Sequence, residues 1–123
     1  MRYLILIYGN PASRKIWESF TPAEQRAGLD VYTALNEDLA TTGEMVVSQR
    51  LADVAHTKRV SVREGQTLVS DGPFAEAKEH LAGFYLVDCV DQARAAEIAG
   101  RIPESAFGLV EVRPVLDLRG LEM

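Results

Sequence analysis

Tyr3-Leu4-Ile5-Leu6-Ile7-Tyr8, closed by the breaker cluster Gly9-Asn10-Pro11, is the stretch on which the fold turns. Its β-branched, aromatic and aliphatic residues predict a strand. Successive side chains of a strand point to opposite faces. Tyr3, Ile5 and Ile7 therefore share one face and Leu4, Leu6 and Tyr8 the other, and both faces are apolar. A strand with one wet face alternates polar and apolar, so this one calls for cover on both sides.

Working outward, residues 10–20 read as a loop with a turn near Trp17. Thr21-Pro22-Ala23-Glu24 then carries a capping box with proline at the first helical position. Leu29, Tyr32, Leu35 and Leu39 follow at helical spacing, and Gly43 supplies the stop, which predicts a helix over Pro22 to Thr42. A second strand is expected from Met45 to Leu51 and a loop over 52–57. Arg59 to Arg63 alternates, Glu64-Gly65 turns and Gln66 to Ser70 returns, which predicts a hairpin with one wet face. Leu81 to Val90 is a further strand with large apolar residues on both faces. Asp91 caps a helix with the stripe Ala95, Ile98, Ala99 and Ile102, which Pro103 stops. Leu109 to Val115 is the last strand, and the tail from Leu116 is unassigned.

The order β-α-β, hairpin, β-α-β predicts an α+β fold with a ferredoxin-like subunit. Such a sheet carries helices on one face only. The other face, lined from Tyr3–Tyr8 and Phe84–Val90, would then be a bare apolar patch unless something covered it. A second copy packed sheet against sheet is the economical cover, so a homodimer is expected, with the pocket in the cleft between the sheet and its surroundings.

The 123 residues form a single domain, 1–123, with enough apolar content (47%) for one core. A net charge of −5 argues against a nucleic-acid partner, which needs a basic face. The opening apolar run is too short to span a bilayer, so no membrane partner is expected. Cys89, the single cysteine, lies in an apolar run and reads as a buried thiol, consistent with a cytoplasmic setting.

The chemistry concentrates between Ser70 and His80. Asp71, before Gly72-Pro73, suits an Asx turn whose carboxylate accepts backbone N–H groups. It also suits a base or ligand anchor at a cleft mouth. Phe74 suits a core or interface plug, or a stacking platform. In an extended segment Glu76, Lys78 and His80 share one face, forming either an acid–base cluster or a solvated strand edge. Histidine is the side chain type that changes charge near neutral pH, which makes His80 the first choice for a general acid/base. Tyr8, at the end of the first strand, can reach the same cavity. The candidate catalytic residues are thus Asp71 and His80, and the candidate ligand-binding residues Tyr8, Asp71, Phe74, Glu76 and Lys78. Arg50, His56, Lys58, Arg59 and Arg63 form the one basic concentration, a solvated edge or a site for an anionic group. No metal-ligand spacing, nucleophile elbow or glycine-rich phosphate loop is present in the sequence, so neither metal nor cofactor is expected.

Taken together, Arg2–Gly9, Asp71-Gly72-Pro73-Phe74-Ala75-Glu76, Lys78-Glu79, Gly83–Asp88, Ile102-Pro103 and Glu111–Val115 closely resemble the DGPF branch of the YCII-related family over nearly the whole chain. The resemblance implies a dimeric α/β barrel of ferredoxin-like subunits in a bacterial cytoplasmic setting. It implies a protein of unassigned activity. The residues themselves suit a protein acting on a small organic molecule in a cleft near the Asp-Gly-Pro-Phe turn, with cofactor-free, lyase-like acid/base chemistry, or a dimer in which that motif is only structural. The alternative the resemblance implies is a non-catalytic module linked to an extracytoplasmic-function sigma factor. The His–Asp pair proposed as catalytic in the wider family has no motif match here, where the only histidines are His56 and His80.

Overall fold

The structure, a computed structural model, describes residues 1–74 and 77–116. Among these residues, six strands and three α-helices run in the order β1 (Arg2–Gly9), α1 (Pro11–Ser19), α2 (Pro22–Thr42), β2 (Met45–Arg50), β3 (Lys58–Arg63), β4 (Gln66–Asp71), β5 (His80–Asp88), α3 (Gln92–Gly100) and β6 (Val110–Pro114). Short 3₁₀ turns cover Val54–His56 and Pro103–Phe107. The main sheet has the order β2-β5-β1-β6, and every neighbouring pair in it is antiparallel. β1 and β2 are therefore parallel with β5 between them, and β5 and β6 parallel with β1 between them. This split βαβ arrangement is consistent with a ferredoxin-like fold.

The two faces of β1 behave differently. Tyr3, Ile5 and Ile7 are buried against Leu35 and Leu39 of α2 and Ala95, Ile98 and Ala99 of α3. Leu4, Leu6 and Tyr8 are only half-buried, as are Phe84 and Leu86 beside them on β5. Among the described residues no helix covers that second face. Cys89 is buried, and burial pushes its thiol pKa up, which leaves the sulfur protonated and unreactive.

Local chemistry explains the helix ends. Thr21 and Glu24 form the expected capping box, and Gly43 ends α2 in the left-handed conformation at φ 78°. Residues 11–19, expected as loop, form a helix. Asn10 and Ser13 make a reciprocal capping box, and Pro11 sits in the first turn. The Trp17 ring lies over Gly28 of α2, where an added Cβ would meet it at 3.3 Å, so Trp17 fixes α1 to the body.

The hairpin also departs from expectation. β3 and β4 form a separate two-stranded ribbon, and all twelve of its residues are exposed. Both faces of the ribbon are wet within the single chain, because it projects from the sheet instead of packing on it.

A bidentate ion pair helps tie the two βα units together. The Arg94 guanidinium of α3 donates from Nε at 2.9 Å and Nη2 at 2.7 Å to the two carboxylate oxygens of Glu44, just before β2. These bonds hold the Glu44 carboxyl below its ordinary value of 4.5. A carboxyl depressed in the folded state stabilises above its unfolded pKa and loses that contribution as pH falls through the folded value. Glu44→Gln is therefore expected to lower the melting temperature at pH 7, and the gap from wild type should close as pH falls below the ordinary value of 4.5. Thermal melts from pH 7 to pH 2 check this; a constant gap would contradict it.

Candidate functional site

The segment between the ribbon and β5 determines where the candidate residues go. Gly72 takes φ 84°, a left-handed conformation natural to glycine, and its N–H donates to the Thr57 carbonyl at 2.9 Å. The turn is thus pinned to the base of the ribbon. Asp71 is exposed, and its carboxylate accepts from the Lys58 ammonium across the ribbon. Among the described residues no backbone N–H donates to it, so Lys58 takes the place of the Asx-turn donors. Phe74 is exposed, with the Arg59 guanidinium 4.7 Å from its ring centroid. Glu76 lies outside the described residues.

The chain then bends through Lys78 and Glu79 instead of extending, so Lys78 and His80 line different clefts. A cleft of about 350 Å³ is lined by Tyr8, Lys78, Glu79, Gly108 and Glu111. A neighbouring cleft of about 260 Å³ is lined by Leu51, Ala52, Val54, Thr57, Pro73, His80 and Leu81. The first is polar; the second is apolar apart from His80 and Thr57. Asp71 and Phe74 line neither.

Backbone pairing builds the polar cleft. The β1–β5 register shifts between Ile7 and Tyr8, so Ile7 stands opposite Gly83 but Tyr8 opposite Leu81. That bulge sits beside the segment carrying Lys78 and Glu79. On the other side of β1, Leu6 pairs with Glu111, and the Tyr8 N–H donates to the Leu109 carbonyl at 2.8 Å. Gly108 ends the preceding 3₁₀ turn at φ 70° and directs the chain into β6. Tyr8 and Glu111 consequently meet on the sheet face opposite α2 and α3.

The Tyr8 phenol has its pKa raised, first by the neighbouring Glu111 carboxylate and then by burial. It stays a protonated donor throughout the neutral range. The cleft thus offers a hydroxyl donor, an ammonium and two carboxylates around one space: groups that can orient a small polar molecule and exchange a proton with it. Among the described residues no three histidine, cysteine, aspartate or glutamate side chains gather as metal ligands would.

Of the residues expected to form the site, Tyr8 and Lys78 come together, while His80 stands in the adjacent cleft. Glu79 and Glu111 are additions. Glu111 carries a sequence signal only in the alternation Val110-Glu111-Val112-Arg113, which marks it as polar-side but does not say what it faces.

This arrangement, a four-stranded antiparallel sheet with a ribbon inserted before β5, belongs to a chain that matches the YCII-related domain over residues 1–119. The chain is also 31% identical over 117 residues to an uncharacterized protein of Rhizobium meliloti, spanning 94% of this chain and 92% of that one. With a domain match over nearly its full length and a relative of this similarity and coverage, the chain belongs to the YCII-related family.

Proposed function

We propose that this YCII-related protein, of the DGPF branch, binds a small polar organic molecule in the Tyr8–Lys78–Glu79–Glu111 cleft and works as a homodimer. The observation that carries this reading is the convergence of four polar groups from three separate chain segments on one cleft of about 350 Å³. That volume suits a small organic ligand. In this reading Lys78 takes an anionic group, Tyr8 donates to a carbonyl or hydroxyl oxygen, and Glu111 receives a proton. His80, in the adjoining cleft, is the remaining acid/base candidate, and Asp71 with Lys58 holds the ribbon base. The dimer is supported by the half-buried apolar row Leu4, Leu6, Phe84 and Leu86 on the face without helices.

A thermal-shift screen of small carboxylic acids, amines and carbonyl compounds tests the site. A binder should stabilise wild type, and Tyr8→Phe or Glu111→Gln should weaken it about tenfold by calorimetry, the value of one hydrogen bond to a charged or buried group. Failure of every compound to stabilise wild type, or equal binding by both variants, would overturn the reading.

A further inference from the structure

The β3–β4 ribbon has no buried residue in its own chain, although an isolated two-stranded hairpin is at best marginally stable in water. Its pairing puts Val60 opposite Val69 and Val62 opposite Thr67, which gathers three valines on one face. These valines are 65%, 68% and 62% exposed for Val60, Val62 and Val69. The arginines Arg59 and Arg63 occupy the opposite face. A valine face is wasted on solvent and gains only when another apolar surface covers it.

We propose that this ribbon is a dimerisation arm, laying its valine face on a second copy of the chain whose sheet packs face to face with the first. The inference rests on the dimer reading above and adds the element that makes the dimer stable.

Three observations favour a second copy as the occupant. The first is area. Four strands of about five residues cover roughly 19 by 16 Å, on the order of 300 Å² of flat sheet. A stable interface needs about 800 Å² per partner. The sheet face by itself is well under half of that, and the ribbon, about 10 by 20 Å, raises the flat footprint to on the order of 500 Å², with side-chain relief on both elements adding to it. The second is position. The ribbon base, at Thr57 and Pro73, lies in one cleft with Leu81, which stands opposite Tyr8 in the β1–β5 register. The arm therefore springs from the end of the sheet that carries the uncovered face. The third is charge. The ribbon carries Lys58, Arg59 and Arg63 against Glu64 and Asp71, a net positive patch on a chain of net charge −5. An arm of opposite sign to the body is drawn towards another copy of that body.

The test is the dissociation constant of the dimer, by sedimentation equilibrium, for wild type, V60K/V62K, Ser61→Lys and Leu6→Lys. Both valines are exposed in the single chain, so lysines there leave its own fold and circular dichroism unchanged. Two ammonium groups forced into an apolar interface are expected to raise the constant at least about 100-fold. Ser61→Lys, on the arginine face, should leave it unchanged. If Leu6→Lys dissociates the dimer but V60K/V62K stays within about threefold of wild type, the sheet-face dimer stands and the arm is overturned. A monomeric wild type at tens of micromolar overturns both.

Discussion

Gly83→Val is expected to destabilise the protein by about 3 kcal/mol or more, enough to lower the melting temperature by roughly 10 °C. Gly83 is buried in β5, opposite Ile7 of β1 and Arg50 of β2. A Cβ there would lie 2.9 Å from the Gln49 carbonyl oxygen and 3.6 Å from the Arg50 Cα. Both are backbone atoms of a paired strand, so neither can swing aside as a side chain would. Relief requires β2 to separate from β5, which sacrifices ladder hydrogen bonds, or β5 to shift against β1. The second route moves the bulge that places Tyr8 opposite Leu81. The variant is therefore expected to lose cleft binding along with stability, and Gly83→Ala to show the same pattern at about 2 kcal/mol. Urea denaturation followed by circular dichroism measures the loss; a midpoint within experimental error of wild type would show that the strands accommodate the side chain.

Ile5→Ala is expected to cost about 3–4 kcal/mol. Ile5 is fully buried at the centre of β1, between Tyr85 and Val112 in the pairing, and faces the helix-side core. Truncation removes three carbons and leaves a cavity that two flanking strands and two helices cannot collapse into without moving one another. Ile5→Val should cost about 1 kcal/mol, because it removes a single methylene. Neither substitution touches the uncovered face, so the dimer constant, corrected for the unfolded fraction, should stay at the wild-type value. Leu6→Ala is the complement: Leu6 is half-buried in the single chain, so its truncation should cost the monomer little and the dimer more. Equal losses at positions 5 and 6 in the monomer would contradict the assignment of one dry and one uncovered face.

The element boundaries read from the sequence lie within a residue or two of those observed, because their determinants are local. Thr21 and Glu24 cap α2 through bonds spanning three residues, and Gly43 ends it by its own φ. The apolar alternation of Tyr3–Tyr8 assigns two faces before any partner strand is known. Helix α1 is equally local in origin, since Asn10-Pro11-Ala12-Ser13 is a capping box, and Gly9-Asn10-Pro11 both ends β1 and starts α1. The ribbon shows the limit of alternation as a signal. Val60 and Val62 mark a face that seeks cover, but pattern alone does not say whether the cover is the chain's own core.

The candidate site divides along the same line. Tyr8 and Lys78 were readable because each stands beside a turn next to an apolar strand. Glu111 was not, because it meets Tyr8 only through the β1–β6 register, and that register is fixed by pairing between the two ends of the chain. The sequence by itself determined the strands, the helices, their caps and the doubly apolar character of β1, since propensity, spacing and capping act within a few residues. The tertiary structure alone decided that the β1–β6 register brings Glu111 onto the face of Tyr8, that Asp71 pairs with Lys58 and that His80 faces a separate cleft. Those outcomes depend on long-range strand pairing, in which a slip of one residue sends every side chain to the opposite face.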